Sequence, residues 1–184
     1  MRITRYLIFI LFLAFFLSAC KLDLSSKITI GGINRVALSQ EEGVTARGTI
    51  KLEVGSVAQC ENESRFIASI LENHFQELSI RPCEQIGMES YFVAAFQVPI
   101  FSSSKDWPER TNSMIVIKAS RSTQMGGVDV DMLLNQARFR RINKAIEAKY
   151  FQDFDFSDSR IAVRLENDQL TYHDVLASNV FANG

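Results

Sequence analysis

The chain has 184 residues and a formal net charge of −1 at pH 7. That length suits one domain with an adequate hydrophobic core. The balanced charge argues against a general nucleic-acid binder, which needs a concentrated excess of Lys and Arg. Two histidines, three cysteines and one tryptophan leave little material for a metal site or a base-stacking site, and no metal or cofactor is expected.

The first nineteen residues have the layout of a secretory signal peptide. Arg2 and Arg5 give a positive start, residues 6–17 are almost continuously apolar, and residues 18 and 19 are small. An uncleaved membrane anchor is one alternative, but this run has about a dozen residues, whereas a spanning helix needs about twenty. An ordinary signal peptide is the other, and Leu17 fits it poorly because such sites favour a small residue three positions before the cut.

Residues 17–20, Leu-Ser-Ala-Cys, resemble the lipobox of bacterial lipoproteins. The resemblance implies cleavage after residue 19 and acylation of Cys20 on its sulfur and then on its new amine. Lys21 follows, where an Asp would retain an enterobacterial lipoprotein in the inner membrane, so the resemblance implies the periplasmic face of the outer membrane. The mature chain would carry 18 basic and 21 acidic residues, a net charge of −3. Residues 20–26 are predicted to be a lipidated N-terminus and a short tether, and residues 27–184 a single domain.

The first half of the domain is predicted to alternate strands with one helix. Alternating apolar residues predict strands over 27–30, ended by Gly31 and Gly32, and over 43–54. Residues 61–77 predict a helix, because their apolar side chains recur at three- and four-residue spacing. Extended segments over 78–83 and 91–100 follow.

The second half is predicted to carry the longest helix. A polar loop over 102–112 contains Trp107, and a short buried strand over 114–119 follows. Residues 129–150 predict a helix from their apolar spacing, and residues 159–166 predict a strand. A final strand is predicted within 170–181. The sum is an α+β fold, a mostly antiparallel sheet with two main helices packed on it.

Cys60 and Cys83 remain once Cys20 carries lipid. A pair of cysteines in an exported chain favours a disulfide, and the alternative is two separate buried thiols.

The sequence contains no nucleophile elbow, the Gly-x-Ser-x-Gly motif of many hydrolases. His74 lies on the inner face of the predicted helix, where a core role is expected, and His173 precedes Asp174 near the C-terminus. No catalytic residue is therefore expected, and the protein is not expected to be an enzyme.

One basic segment is a candidate contact surface. Arg138, Arg140, Arg141 and Lys144 cluster in the predicted second helix and are candidates for contact with lipid head groups or a protein partner. A solvated helix face is the alternative. Trp107 is a further candidate contact, with folding back onto the domain as its alternative.

The body of the chain resembles a group of uncharacterised lipoproteins carried by enterobacteria and their prophages. The resemblance rests on residues 20–23, on Cys60 and Cys83, and on residues 161–168 and 181–184. It implies a location and no activity. Two classes of function stay open. The first is a non-enzymatic periplasmic lipoprotein that contacts another envelope protein or lipid, and the second is a periplasmic hydrolase whose site follows no motif.

Overall fold

The computed structural model describes residues 21–102, 111–122, 127–150 and 159–171. Seven strands and three helices lie in these ranges. They are β1 (Leu22–Thr29), α1 (Ile30–Ser39), β2 (Thr45–Val54), α2 (Val57–Leu71), β3 (Gln76–Ile86), β4 (Glu89–Phe101), β5 (Ile115–Arg121), β6 (Val128–Leu134), α3 (Gln136–Tyr150) and β7 (Arg160–Glu166).

The strands form one mixed sheet in the order β6-β5-β4-β2-β1-β7, with β3 also paired to β4. The pairs β1–β7 and β4–β5 are parallel. The expectation of a mostly antiparallel sheet with two helices is therefore wrong in detail, although strands and helices do share one fold. Strands that are close in the chain favour antiparallel pairing, because a short turn can join them. β1 and β7 are distant in the chain and pair in parallel.

The length of β4 explains how one strand serves three neighbours. β2 pairs with one edge of β4 from Ser90 to Pro99. On the other edge, β3 occupies the first part of β4, and β5 pairs only with Ile100 and Phe101 at its end. β4 thus joins the β5–β6 pair to the other strands in one continuous sheet.

The core lies between one face of this sheet and the helices. Burial alternates along β1, where Leu22, Leu24 and Ile28 are at most 5% exposed, as expected for a strand with one face in the core. The helices contribute their inner faces to the same cluster. Its helical side chains include Ile33 of α1, Ile67 and Leu71 of α2, and Phe139, Ile142 and Ile146 of α3.

The segment predicted to be a tether is part of this sheet. β1 begins at Leu22 and pairs with β2 from Leu22 to Lys27. The domain therefore starts about five residues earlier than residue 27. The prediction of a tether is wrong because Ser25 and Ser26 resemble a polar linker in the sequence. In the structure Ser26 is buried, and its hydroxyl donates a hydrogen bond to the Arg47 carbonyl at 3.5 Å.

The sequence pattern does not predict helix α1, because Gly31 and Gly32 are typical of a chain break. Thr29 caps the helix by accepting a hydrogen bond from the Gly32 backbone N–H at 3.1 Å. The Gly31 N–H donates to the Asp168 carboxylate at 2.7 Å, and a side chain on Gly31 would meet that carboxylate. The hydrogen bond from Gly31 is the main reason that the pKa of Asp168 lies below its usual value.

The predicted helix over 129–150 is in fact strand β6 followed by helix α3. Asn135 separates them and caps α3 by accepting a hydrogen bond from the Arg138 N–H at 3.1 Å. The prediction failed because Leu133, Leu134 and residue 137 continue the helical spacing across the boundary. The alternation of Val and Asp at residues 128–131 was the strand signal.

The remaining predicted elements agree with the structure to differing extents. The predicted strands over 78–83 and 91–100 lie within β3 and β4, and the one over 159–166 overlaps β7. The predicted strands over 43–54 and 114–119 overlap β2 and β5. The first predicted helix, over 61–77, lies too far toward the C-terminus. Helix α2 begins at Val57, directly after its N-cap residue Ser56, and ends at Leu71. The predicted final strand lies mostly outside the described residues.

Gly48 gives a test of the core. It lies opposite Phe96, whose ring covers the position that a Cβ would take. The Phe96 ring packs against Phe75 in a tilted arrangement, with ring centroids 4.5 Å apart. We expect Gly48→Ala to lower the free energy of unfolding by about 1–3 kcal/mol through overpacking. The control is Gly127→Ala, where a Cβ meets nothing within 4 Å. Equal urea midpoints for the two variants would contradict this account of the core.

Candidate functional site

The described chain begins at one end of the sheet, next to the proposed lipid. The Lys21 carbonyl accepts a hydrogen bond from the Glu53 N–H at 2.9 Å, so the β1–β2 ladder continues through Lys21. The Lys21 ammonium pairs with the Glu89 carboxylate at 2.5 Å. Cys20 itself lies outside the described residues, but its Cα is bound to lie about 3.8 Å from that of Lys21. Any lipid on Cys20 is therefore attached almost directly to a central strand of the sheet.

The turn between β3 and β4 lies at the same end. β1 and β4 both run antiparallel to β2, so they are parallel to each other. Leu22 is level with Leu52, and Leu52 is level with Phe92. Moving from Phe92 toward lower residue numbers leads to the turn, just as moving from Leu22 leads to Cys20. We call Lys21, Glu53 and residues 86–89 the N-terminal end of the domain.

Glu89 accepts hydrogen bonds from two side chains at this end, those of Lys21 and Tyr91. Hydrogen bonds from Lys21 and from the Tyr91 hydroxyl lower the pKa of Glu89 below its usual value. The bond to Glu89, with burial, raises the pKa of Tyr91. Glu89 is therefore an anion and Tyr91 a neutral phenol at physiological pH.

The two cysteines that would remain after lipidation are paired behind this end. Cys60 in α2 and Cys83 in β3 form a disulfide with a Cα–Cα distance of 6.2 Å, within the usual range. A register shift between Arg81 and Glu84 lies at Cys83. The bridge ties the second turn of α2 to β3, three residues before Ile86.

The predicted basic cluster is divided by the structure. Arg138 is half-buried, and its guanidinium donates to the Asn73 carbonyl at 3.1 Å and to Asn112 at 3.2 Å. It therefore joins the start of α3 to two neighbouring segments. Arg140, Arg141 and Lys144 are exposed on the opposite side of α3 from Phe139 and Ile142. Trp107, the other predicted contact, lies outside the described residues.

The exposed basic residues lie far from the N-terminal end. Lys149, near the end of α3, lies 3.7 Å from Glu63 of α2, and its ammonium lies over the Phe66 ring. At 1.5 Å per residue, Arg141 is about 12 Å beyond Lys149, and Glu63 is itself about 9 Å from the start of α2. Arg141 therefore lies about 20 Å along the two helices from the start of α2, which is at the N-terminal end. This distance exceeds the Debye length of about 8 Å at physiological ionic strength, so attraction between Arg141 and head groups beside Cys20 would be largely screened.

His74 lies in the junction between α2 and β3. It follows α2, outside the helix that was predicted to contain it, and its carbonyl accepts a hydrogen bond from the Met114 N–H at 2.6 Å. Within the described part of the chain, its Nδ1 is buried without a hydrogen-bond partner. Burial, then the charges of Arg138 and Arg141, lower the pKa of His74. The imidazole is therefore neutral near pH 7.

A small void of about 10 Å³ lies between the sheet and α3. All eight side chains that line this void are apolar, Leu22 and Phe139 among them. It is at the lower limit for one water molecule. In the described residues, no three His, Cys, Asp or Glu side chains cluster as metal ligands. Likewise, no helix there is long and apolar enough to cross a membrane.

Comparison with known families places the chain. The family model described as Domain of unknown function (DUF7424) matches residues 23–184. The chain belongs to the DUF7424 family. No curated protein and no solved structure matches it. The DUF7424 match begins inside β1, which agrees with a domain that starts at β1 and not at residue 27.

The sequence predicted some features of this DUF7424 site and missed others. The cysteine pairing follows from counting and is present in the structure. The two apolar residues of the β3–β4 turn, Ile86 and Met88, were overlooked. Gly87 marked a turn, but only the strand register shows that this turn lies beside Lys21.

The disulfide gives a stability prediction. In the chain-entropy model, a bridge that spans 23 residues contributes about 3 kcal/mol. We expect the double variant Cys60→Ala, Cys83→Ala to melt about 6–12 °C below the wild type. Thiol labelling under denaturing conditions without reductant should modify neither cysteine in periplasmic material. Two labelled thiols, or unchanged melting on reduction, would contradict the assignment.

His74 gives a pH prediction. Its pKa is lowered in the folded state, so below about pH 6.5 the unfolded chain binds a proton that the folded chain does not. Stability should therefore fall as the pH falls from 7 to 5, by at most about 1.4 kcal/mol per pH unit for one proton. In His74→Gln this slope should become smaller, whereas His173→Gln serves as the control. An unchanged slope in His74→Gln would show that other groups cause the loss.

Proposed function

We propose that this DUF7424 protein is a lipoprotein of the cell envelope, anchored through acylated Cys20, with a non-enzymatic role in binding. One observation carries the proposal. Strand β1 begins two residues after Cys20, so cleavage before Cys20 removes the whole apolar leader and no part of the described fold. The lipobox-like residues 17–20 supply the matching cleavage site.

The disulfide supports the same location. Disulfides persist in the periplasm and other oxidising compartments, and they are rare in the cytosol. Cys60 is fully buried and Cys83 lies at the distance of a bridge. Cys20 is then the one cysteine left for acylation.

The position of Lys21 favours the outer membrane. Its side chain pairs with Glu89, and its backbone belongs to the β1–β2 ladder. Lys21 is not the Asp that retains enterobacterial lipoproteins in the inner membrane. An anchor at this end directs the opposite end of the domain into the periplasm.

The basic face of α3 is the surface we propose for a protein partner. Arg140, Arg141 and Lys144 are exposed at three- and four-residue spacing on one side of the helix. They lie about 20 Å along the helices from the anchored end. That distance favours contact with an acidic surface of an envelope protein over contact with head groups beside the anchor.

Labelling with palmitate tests the anchor. Wild-type protein should take up labelled palmitate and fractionate with the outer membrane on a density gradient. Cys20→Ala should accumulate as an unprocessed precursor without label, because acylation of the cysteine precedes cleavage. The double variant Cys60→Ala, Cys83→Ala is the matched control and should keep the label.

Two results would count against the proposal. A Cys20→Ala protein that is still cleaved and released into the periplasm would indicate an ordinary signal peptide. Wild-type protein in the inner-membrane fraction would refute the proposed location and leave the anchor intact.

A further inference from the structure

The turn between β3 and β4 presents two exposed apolar side chains. Met88 is 99% exposed and Ile86 is 53% exposed. Gly87 lies between them with φ of 63°, which suits the first central position of a two-residue type II′ turn. The pair Ile86 and Glu89 closes the turn. The two apolar side chains therefore lie at the tip of a tight hairpin.

This tip extends past the first described residue, Lys21. Leu22 and Phe92 are at the same height in the sheet, through Leu52. Lys21 is one residue from Leu22 and Met88 is four residues from Phe92, in the same direction. At about 3.3 Å per residue, Met88 reaches about 10 Å further than Lys21, the residue bonded to Cys20. A membrane that holds the acyl chains of Cys20 thus meets the hairpin tip.

The charges around the tip suit such a contact. Residues 85–88 are Gln, Ile, Gly and Met, without a charge. The first charged residue on each strand is paired, Glu84 with Lys51 and Glu89 with Lys21, both at 2.5 Å. Burying an unpaired charge would oppose insertion, whereas paired charges can remain at the level of the head groups.

We infer that the β3–β4 hairpin is a second membrane contact, in which Met88 and Ile86 enter the interface of the phospholipid leaflet that holds the acyl chains of Cys20. This inference rests on the lipid anchor proposed above. The tip reaches about 10 Å past Lys21, which is comparable with the depth of about 5–10 Å at which interfacial apolar groups lie. Acyl chains alone leave the domain free to tilt, and the hairpin fixes its orientation, with the basic face of α3 directed away from the membrane.

A fluorescent probe at the tip tests the inference. Met88→Cys is labelled with an environment-sensitive nitrobenzoxadiazole group, and the lipidated protein is reconstituted into vesicles of phosphatidylethanolamine and phosphatidylglycerol. Leu170→Cys is the matched control, because Leu170 is also apolar and fully exposed. It follows β7 at the opposite end of the sheet, near the contact of Asp168 with Gly31. Intact mass first verifies the acyl chains, one label per chain and the bridge between Cys60 and Cys83.

The results separate the two proposals. The probe at residue 88 should shift to the blue and be quenched by brominated lipids, while the probe at residue 170 keeps its emission in water. Lipidated protein with water-like emission at both positions would overturn the hairpin contact and leave the anchor standing. Equal shifts at both positions would also overturn it, since they would reflect the affinity of the probe for lipid. Protein without acyl chains would overturn the anchor and the inference that rests on it.

Discussion

The pairing of β1 is the constraint on which the rest of the structure depends. β1 lies between β2 and β7, so it joins the first described residues to strands from both halves of the chain. The alternation of Leu22, Leu24 and Ile28 fixes which face of this strand enters the core, because a slip of one residue would expose all three. The N-terminus of the domain cannot be a loose tether while this strand is paired, and any lipid on Cys20 would be attached two residues before the strand begins.

The direction of β1 gives the domain two distinct ends. The N-terminal end carries paired charges and an uncharged hairpin tip, and the disulfide holds β3 to α2 directly behind that tip. At the other end, Arg138 joins the start of α3 to the segments around Asn73 and Asn112. The exposed cations of α3 therefore belong to the end that points away from an anchored surface. The difference between the ends follows from strand direction and helix direction, and not from composition.

The sequence predicted the features that depend on local pattern. Alternation was sufficient for β2, β4 and β7, because each has one strongly apolar face or a continuous apolar run. It failed where two patterns overlap, as at Leu133 and Leu134, which fit the end of a strand as well as the start of a helix. It failed again at Gly31, where the glycine allows the close approach of Asp168, a residue more than a hundred positions away. Contacts of that kind, and the parallel pairing of β1 with β7, depend on the whole fold.

The same distinction applies to the candidate site. The lipobox-like residues and the cysteine pair could be found by local pattern and by counting. The role of Arg138 and the position of Met88 required the register of the sheet and the direction of α3. For this reason the basic cluster, which is continuous in the sequence, divides in the structure into one residue that holds segments together and three that face solvent.

We propose that the mature protein begins at a lipidated Cys20, just before β1. Intact mass spectrometry of the detergent-extracted protein is the measurement that bears on this most closely. We expect a chain that begins at Cys20, carries a diacylglyceryl group and one further acyl chain, and lacks two hydrogens because Cys60 and Cys83 are bridged. A mass that retains residues 1–19, or a chain that begins at Cys20 without lipid, would contradict it.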